Sequence, residues 1–227
     1  MENKIKSYEK KGGEFVSSPF SVKERVIAAK AIIFDWDGVF HSGYKNETRS
    51  SAFSEADSMG VNMLRFGLYL ESASIPYTAV VTGENNPTAQ FWANREHLDA
   101  VFHGIKDKVT ILDYLKRERG IEADEVIFVF DDILDLSLAA KAGARFMVNR
   151  AANPRFIEYC KQQKYVDYLT YSTGAEHAVR EVCEVCLTLM GKLNETIEKR
   201  IEYSGEYTTY INKRNEIQTN ELGKEHL

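Results

Sequence analysis

The chain has 227 residues, 44% of them hydrophobic and 28% charged, with a formal net charge of −5. That length suits one domain with a sizeable core and is short for two. The mild acidity argues against a general binder of nucleic acid or membrane surfaces. No apolar run is long enough to span a bilayer. The polar, lysine-rich start, Met1 to Lys11, has no apolar signal core, so the chain reads as cytoplasmic.

Residues 1–20 look irregular, broken by Gly12-Gly13 and Ser17-Ser18-Pro19. Ser21-Val22-Lys23-Glu24 reads as a capping box that opens a short helix to about Lys30. Ala31–Phe34 is the first apolar strand, and a loop rich in Ser, Asn and Glu follows from Val39 to Ser58. Met59, Met63, Phe66 and Leu70 then recur at helical spacing up to Ala73. Tyr77–Val81 is a strand, and Asn85 to Glu96 a helix with Pro87 in its first turn. Ala100–Phe102 is a short strand, and Asp107 to Arg119 a helix closed by Gly120. Val126–Phe130 is a strand, Leu134 to Ala142 a helix, Arg145–Val148 a strand, Pro154 to Gln163 a helix and Val166–Leu169 the last strand. One long helix runs from Gly174 to about Arg200. The tail, Ile201 to Leu227, is polar, with a tyrosine series at 203, 207 and 210 and no expected structure.

Strands alternating with helices predict an α/β, doubly wound, Rossmann-like parallel sheet. The expected organisation is an extension over 1–30, one domain over 31–200 and a tail over 201–227. No insert is long enough for a separate cap domain. Cys160, Cys183 and Cys186 make no disulfide framework. Cys183 and Cys186 lie one helical turn apart among Val182, Val185 and Leu187, which reads as core packing.

Chemistry gathers just past the strands. The first apolar run ends in Asp35-Trp36-Asp37-Gly38. Residues i and i+2 of a strand share a side, so Asp35 and Asp37 are expected to face one site. Crowded carboxylates repel, which suggests a cation or a shared proton. Later runs end in Thr82-Gly83 and in Asp131-Asp132-Ile133-Leu134-Asp135, and Lys108 opens a helical pattern after the short strand, with Lys106 competing for its role. In an open parallel sheet, ligands bind outside the carboxyl ends of the strands.

These four motifs, Asp35-Trp36-Asp37-Gly38-Val39, Thr82-Gly83, Lys108 and Asp131 to Asp135, resemble those of the haloacid dehalogenase-like phosphatases. The similarity is greatest to the subgroup of 3-deoxy-D-manno-octulosonate (KDO) 8-phosphate phosphatases and their sialic-acid 9-phosphate relatives. Phe40-His41-Ser42-Gly43, Ala178-Val179-Arg180-Glu181-Val182-Cys183 and Gly191-Lys192-Leu193 support it, and it covers roughly Lys30 to Leu193.

The resemblance implies a Mg²⁺-dependent phosphatase for a small phosphorylated sugar or sugar acid. In it Asp35 is the nucleophile that forms an aspartyl-phosphate, and Asp37 the general acid and base. Thr82 and Lys108 hold the phosphoryl oxygens. Asp35, the Asp37 carbonyl and Asp131 bind the metal. Asp132 and Asp135 orient metal waters and Lys108, and Gly83 and Glu84 stand near the substrate. A chain of this subgroup without a cap implies a homo-oligomer, a tetramer, with the Val39–Ser58 loop at the subunit contact. Two residues depart from the pattern. Phe130 replaces the usual glycine before Asp131, setting a ring beside the metal, and Glu84 replaces the usual arginine after Thr82-Gly83. Glu84 and Glu176 are acidic where the subgroup tends to be basic, which disfavours the KDO ester against a less acidic sugar phosphate. These departures also motivate a reading from another class, a non-catalytic scaffold or interaction protein.

Overall fold

The computed structural model describes residues 2–45 and 51–227. Residues 46–50 of the expected contact loop lie outside the described residues. In chain order the elements are α1 (Glu2–Glu9), β1 (Glu14–Phe15), α2 (Pro19–Ala28), β2 (Ala31–Phe34), α3 (Glu55–Ser72), β3 (Tyr77–Val81), α4 (Pro87–Arg95) and β4 (Ala100–Phe102). Then come α5 (Thr110–Tyr114, continued by a wider turn to Arg119), β5 (Val126–Phe130), α6 (Leu136–Ala139), β6 (Ala144–Met147), α7 (Pro154–Gln162) and β7 (Tyr168–Leu169). The last are α8 (Ala178–Met190), α9 (Leu193–Ile201), α10 (Gly205–Asn215) and β8 (Asn220–Leu222).

The strands form one sheet in the order β1-β7-β6-β5-β2-β3-β4-β8. All pairs are parallel except β1 with β7. After β1 at one edge, the chain enters near the middle at β2, runs outward through β3 and β4, and returns to β5 on the other side of β2. That reversal opens a crevice at the carboxyl ends of β2 and β5, the usual ligand position in such sheets. Both faces of the sheet are covered. Ile32 and Phe34 join a core with residues of α2, α3, α4, α8 and α10, whereas Ala31 and Ile33 join a second core with residues of α5, α6 and α7. Strand period two produces this division, and burial on both faces explains the unbroken apolar run of β2.

Helix boundaries follow local chemistry. Ser54 caps α3, its hydroxyl accepting from the Asp57 N–H at 3.0 Å, so this helix begins one turn before the expected Met59. Pro19 sets the start of α2, which therefore precedes the expected capping box at Ser21. The expected long helix from Gly174 breaks at Gly191, whose φ of +76° ends α8. The three cysteines are free and buried. The packing of α3 on α8 needs a close approach: a Cβ at Gly67 would stand 2.3 Å from Leu187 Cδ2.

The flanking segments depart furthest from expectation. The start is not irregular, because α1 packs against α8 and β1 pairs with β7. The tail is folded as well. Tyr207 and Tyr210 are buried against Phe66 of α3, with ring centroids at 5.1 Å in each case. The Tyr210 hydroxyl donates to the Asn62 side-chain oxygen at 3.0 Å, and Arg214 donates to the same atom at 3.0 Å. A tyrosine buries a ring and keeps a polar tip, so a sequence that looks polar still carries apolar area to bury. Among the described residues no helix is long and apolar enough to cross a membrane.

Candidate active site

The carboxyl end of β2 sets the first group. The Asp35 N–H still donates to the Val129 carbonyl at 2.9 Å, so the sheet fixes its backbone. Trp36 is buried, stacked on Phe40 at 4.8 Å, and its indole N–H donates to Ser51 at 2.9 Å. The chain then turns at Gly38 with a φ of +90°. A Cβ there would lie 2.1 Å from Asp131 Oδ2 and 2.2 Å from an Arg150 nitrogen, so both the turn and its neighbours require glycine.

Strand β5 delivers the second group. Asp131 and Asp135 are buried, and Asp135 Oδ2 accepts from the N–H groups of Asp131 and Asp132 at 3.3 and 3.0 Å. Asp135 thereby clamps the loop that carries Asp131. Its other oxygen accepts from Lys108 Nζ at 2.5 Å, and Asp35 Oδ1 accepts from the same ammonium at 2.5 Å. Lys108 is itself buried, so one ammonium bridges two acids from different strands away from water. Lys106 is mostly exposed and pairs with Glu84 at 2.9 Å, which gives the place beside the carboxylates to Lys108.

Ligand oxygens of Asp35, Asp131 and Asp135 all lie within 4.8 Å of one another. Three buried carboxylates therefore meet two cations, Lys108 and Arg150. The imbalance shows in the proton affinities. Burial pushes the Asp35 carboxyl up, and Asp135 adds to this against the pull of Lys108. Burial and Asp135 push Asp131 up to about 6, with Arg150 opposing. Burial alone lowers the Lys108 pKa, but Asp35 and Asp135 more than reverse this and keep it charged. Asp131 Oδ1 is buried and has no hydrogen-bond partner among the described residues. An orphaned carboxylate oxygen among hard oxygen donors fits a small divalent cation.

The other expected residues are placed as follows. Asp37 lies beyond the last strand residue, Phe34, so strand period two does not govern its direction. Its carboxylate pairs with Lys45 at 2.7 Å and lies 3.2 Å from His41 Nε2. Burial raises its pKa, but His41 and Lys45 outweigh that and lower it. Thr82 is buried at the end of β3, where the pairing of Phe34 with Val80 sets it level with Trp36. Its hydroxyl accepts from the Glu84 N–H at 3.4 Å. Gly83 faces Lys106. Asp132 is exposed and caps the following turn through the Ile133 N–H at 2.7 Å, so only Asp135 of that pair reaches Lys108. Glu176 accepts from Thr173 in its own turn. Phe130, directly before Asp131, is wholly buried and stacks on Phe128 at 5.4 Å within the second core.

Sequence reasoning missed three groups: Arg150 on Asp131, and His41 and Lys45 on Asp37. Arg150 follows β6, so the same strand-end rule would have found it. A cavity of about 100 Å³ opens beside it, lined by Gly38, Ser42, Asn149, Thr173 and Gly174. Larger clefts lie away from the carboxylates, one of about 540 Å³ past Lys106 and one of about 560 Å³ around Lys30, Tyr77 and Asp99. Both carry acids and cations, Asp107 and Asp113 with Lys106 and Arg117 in the first and Asp99 with Lys30 and Arg119 in the second. Neither is lined by Asp35, Lys108, Asp131 or Asp135, so volume does not locate the buried cluster.

No family model matches the chain. It is 26% identical over 194 residues to the 3-deoxy-D-manno-octulosonate 8-phosphate phosphatase KdsC of Escherichia coli K12, covering 82% of this chain and 96% of that protein. Among solved structures, the same enzyme from Moraxella catarrhalis, in complex with magnesium, phosphate and KDO, superposes with a TM-score of 0.65 at 26% identity. That match covers 78% of this chain and 97% of the other. A cobalt-bound phosphatase of the same name from Haemophilus influenzae shares the fold at 24% identity, with a TM-score of 0.61 over 74% of this chain and 93% of that one.

Proposed function

We propose that this chain, a haloacid dehalogenase-like phosphatase by sequence and fold, hydrolyses a small phosphorylated sugar or sugar acid through an aspartyl-phosphate on Asp35. One observation carries the reading: Lys108 bridges Asp35 and Asp135 at 2.5 Å each within a buried carboxylate cluster that also holds Asp131. Phosphate monoesters are dianions that resist attack by another anion, and their uncatalysed hydrolysis is extremely slow. Asp35 and Asp131, with the Asp37 carbonyl as the further expected ligand, would hold Mg²⁺, which would offset the charge between carboxylate and phosphoryl group.

The chain's own residues do the rest. Asp35 attacks phosphorus, splitting one hard displacement into two easier ones. Lys108 holds Asp35 in place, and with Thr82 it takes up charge on the phosphoryl oxygens as the bond to the leaving group breaks. Asp37 protonates the leaving alcohol and later takes a proton from the attacking water. Its lowered pKa keeps it ionised before the ester binds, and an arriving dianion raises it toward the value that both proton transfers need. Asp135 positions Lys108 and the Asp131 loop.

Substrate class rests on the similarity to KdsC and on surface charge. Glu84 and Glu176 are acidic side chains, so neither offers a positive partner to a sugar-acid carboxylate. A less acidic sugar phosphate is therefore preferred over KDO 8-phosphate. The protein works as a homo-oligomer, a tetramer. Supporting this, Tyr44, Ile133 and Leu134 are exposed in the segments that follow Asp37 and Asp132. A monomeric mass with full activity in light scattering refutes shared sites.

The deciding experiment is a phosphate-release screen across sugar phosphates and phosphorylated keto-sugar acids, with Mg²⁺ and with chelator. Release that needs Mg²⁺ and disappears in Asp35→Asn is expected. No Mg²⁺-dependent release from any ester, or full activity in Asp35→Asn, overturns the reading.

A further inference from the structure

We propose that Arg150 couples the two halves of the ligand, weakening cation binding at Asp131 when the site holds no phosphoryl group and grasping that group once both are present. The inference rests on the phosphatase reading above and adds a ligand-binding residue to it.

The geometry is specific. The Arg150 guanidinium donates to Asp131 Oδ2, while Asp131 Oδ1 is left without a partner beside Asp35 and Asp135. Asp131 is 1% exposed and the Arg150 side chain 37%, so the acid is fixed and the base reaches in from solvent. The guanidinium lies over two glycine turns: Cβ atoms at Gly38 and Gly43 would be 2.2 and 3.7 Å from its nearest nitrogen. It also lines the small cavity beside the cluster, together with Asn149, Thr173 and Gly174. Among the described residues, Asp131 is its one hydrogen-bond partner. A guanidinium has five N–H donors in a flat fork matched to phosphate oxygens, so most of them remain for a ligand in that cavity.

Charge then dictates the coupling. A divalent cation and a guanidinium that share one carboxylate repel each other in a poorly hydrated site. Arg150 therefore opposes the cation when the cation comes alone. A phosphoryl dianion next to both turns the same pair of charges into a joint clamp. Coupling of this kind is reciprocal, so the cation raises phosphate affinity by the same factor that phosphate raises cation affinity.

The test is calorimetric titration of Mg²⁺ into the full chain, with and without saturating inorganic phosphate, for wild type, Arg150→Ala, Arg150→Lys and Asp131→Asn. In the wild type, phosphate should tighten Mg²⁺ binding by roughly tenfold. Arg150→Ala should bind Mg²⁺ alone roughly tenfold more tightly and lose most of the phosphate enhancement. Arg150→Lys keeps the charge without the fork and should retain part of the enhancement, which an effect on folding alone would not produce. Unchanged or weaker Mg²⁺ binding in Arg150→Ala, with the phosphate effect intact, overturns the proposal and leaves the cation site standing. Absence of Mg²⁺ binding in the wild type, or equal binding in Asp131→Asn, overturns both the coupling and the cation site.

Discussion

Two buried acid centres stand at opposite ends of the sheet, and they are balanced in opposite ways. At the amino end of β7, Asp167 is fully buried and accepts from Ser17 at 2.6 Å, from two Arg25 nitrogens at 2.9 Å, and from Arg145 side-chain nitrogens at 2.8 and 2.9 Å. Burial raises its pKa, but Arg145, Arg25 and Ser17 overcome that and lower it. At the carboxyl ends of β2 and β5, three acids share two cations, an oxygen of Asp131 has no partner, and the Asp35 and Asp131 pKa values are raised. A saturated carboxylate holds a fold together, and an under-saturated one waits for a ligand. Burial is common to both, so it is the partner inventory that separates structure from function.

The largest expected effect breaks the open centre. Asp35→Asn should lower turnover by about 10⁴-fold or more, the scale seen when a nucleophile is removed. Its melting temperature without cation should not fall, because the change removes a repelling charge. Steady-state phosphate release and thermal unfolding on one preparation check both.

Next comes the closed centre. Asp167→Ala strands two guanidinium groups and should cost about 3–5 kcal/mol in denaturant titrations, with activity per folded molecule unchanged. Its pH signature has a definite sign. The folded pKa lies below the unfolded value, so the stabilisation is present at neutral pH and is lost as pH falls below the ordinary value of 3.8. The gap between wild type and Asp167→Asn should therefore narrow in that acid window, and a gap that widens there contradicts the assignment.

A smaller effect tells the centres apart directly. Mg²⁺ at about 100 times its Kd should add about 2.7 kcal/mol of stability, a shift of about 5–10 °C. Chelator should reverse it, Asp131→Asn should abolish it, and Asp167→Asn should keep it. A shift that survives in Asp131→Asn moves the cation elsewhere.

The smallest effect is that of Lys106, set against its neighbour Lys108. Lys106→Ala removes a surface pair with Glu84 and should change stability by less than about 1 kcal/mol. Lys108→Ala leaves Asp35 and Asp135 facing each other and should abolish measurable turnover. Equal losses in both variants contradict the division of roles between them.

The sequence carried the open centre better than its surroundings. Asp35, Thr82 and Asp131 each end an apolar run, and a strand end is a position that pattern alone can find. Arg150 obeys the same rule, but it lacked a recognisable motif. Strand period predicts the direction of Asp37, yet β2 stops at Phe34 and a turn sets it. The closed centre was illegible, because Ser17, Arg25, Arg145 and Asp167 come from four separate segments and share no spacing. Glu14–Phe15 and Asn220–Leu222 are too short to show a period, and their pairing partners decide that they are strands.

The pairing of β8 with β4 has a consequence for solubility. Ala100, Val101 and Phe102 are all apolar, and the backbone of Asn220–Leu222 occupies the flank of that strand. Removing residues 216–227 would uncover a row of unpaired amide and carbonyl groups beside an apolar ridge. An uncovered strand of that kind templates addition of another chain. A version shortened there would fail by self-association before it failed by unfolding, so the polar stretch from Asn220 to Leu222 acts as a guard against aggregation.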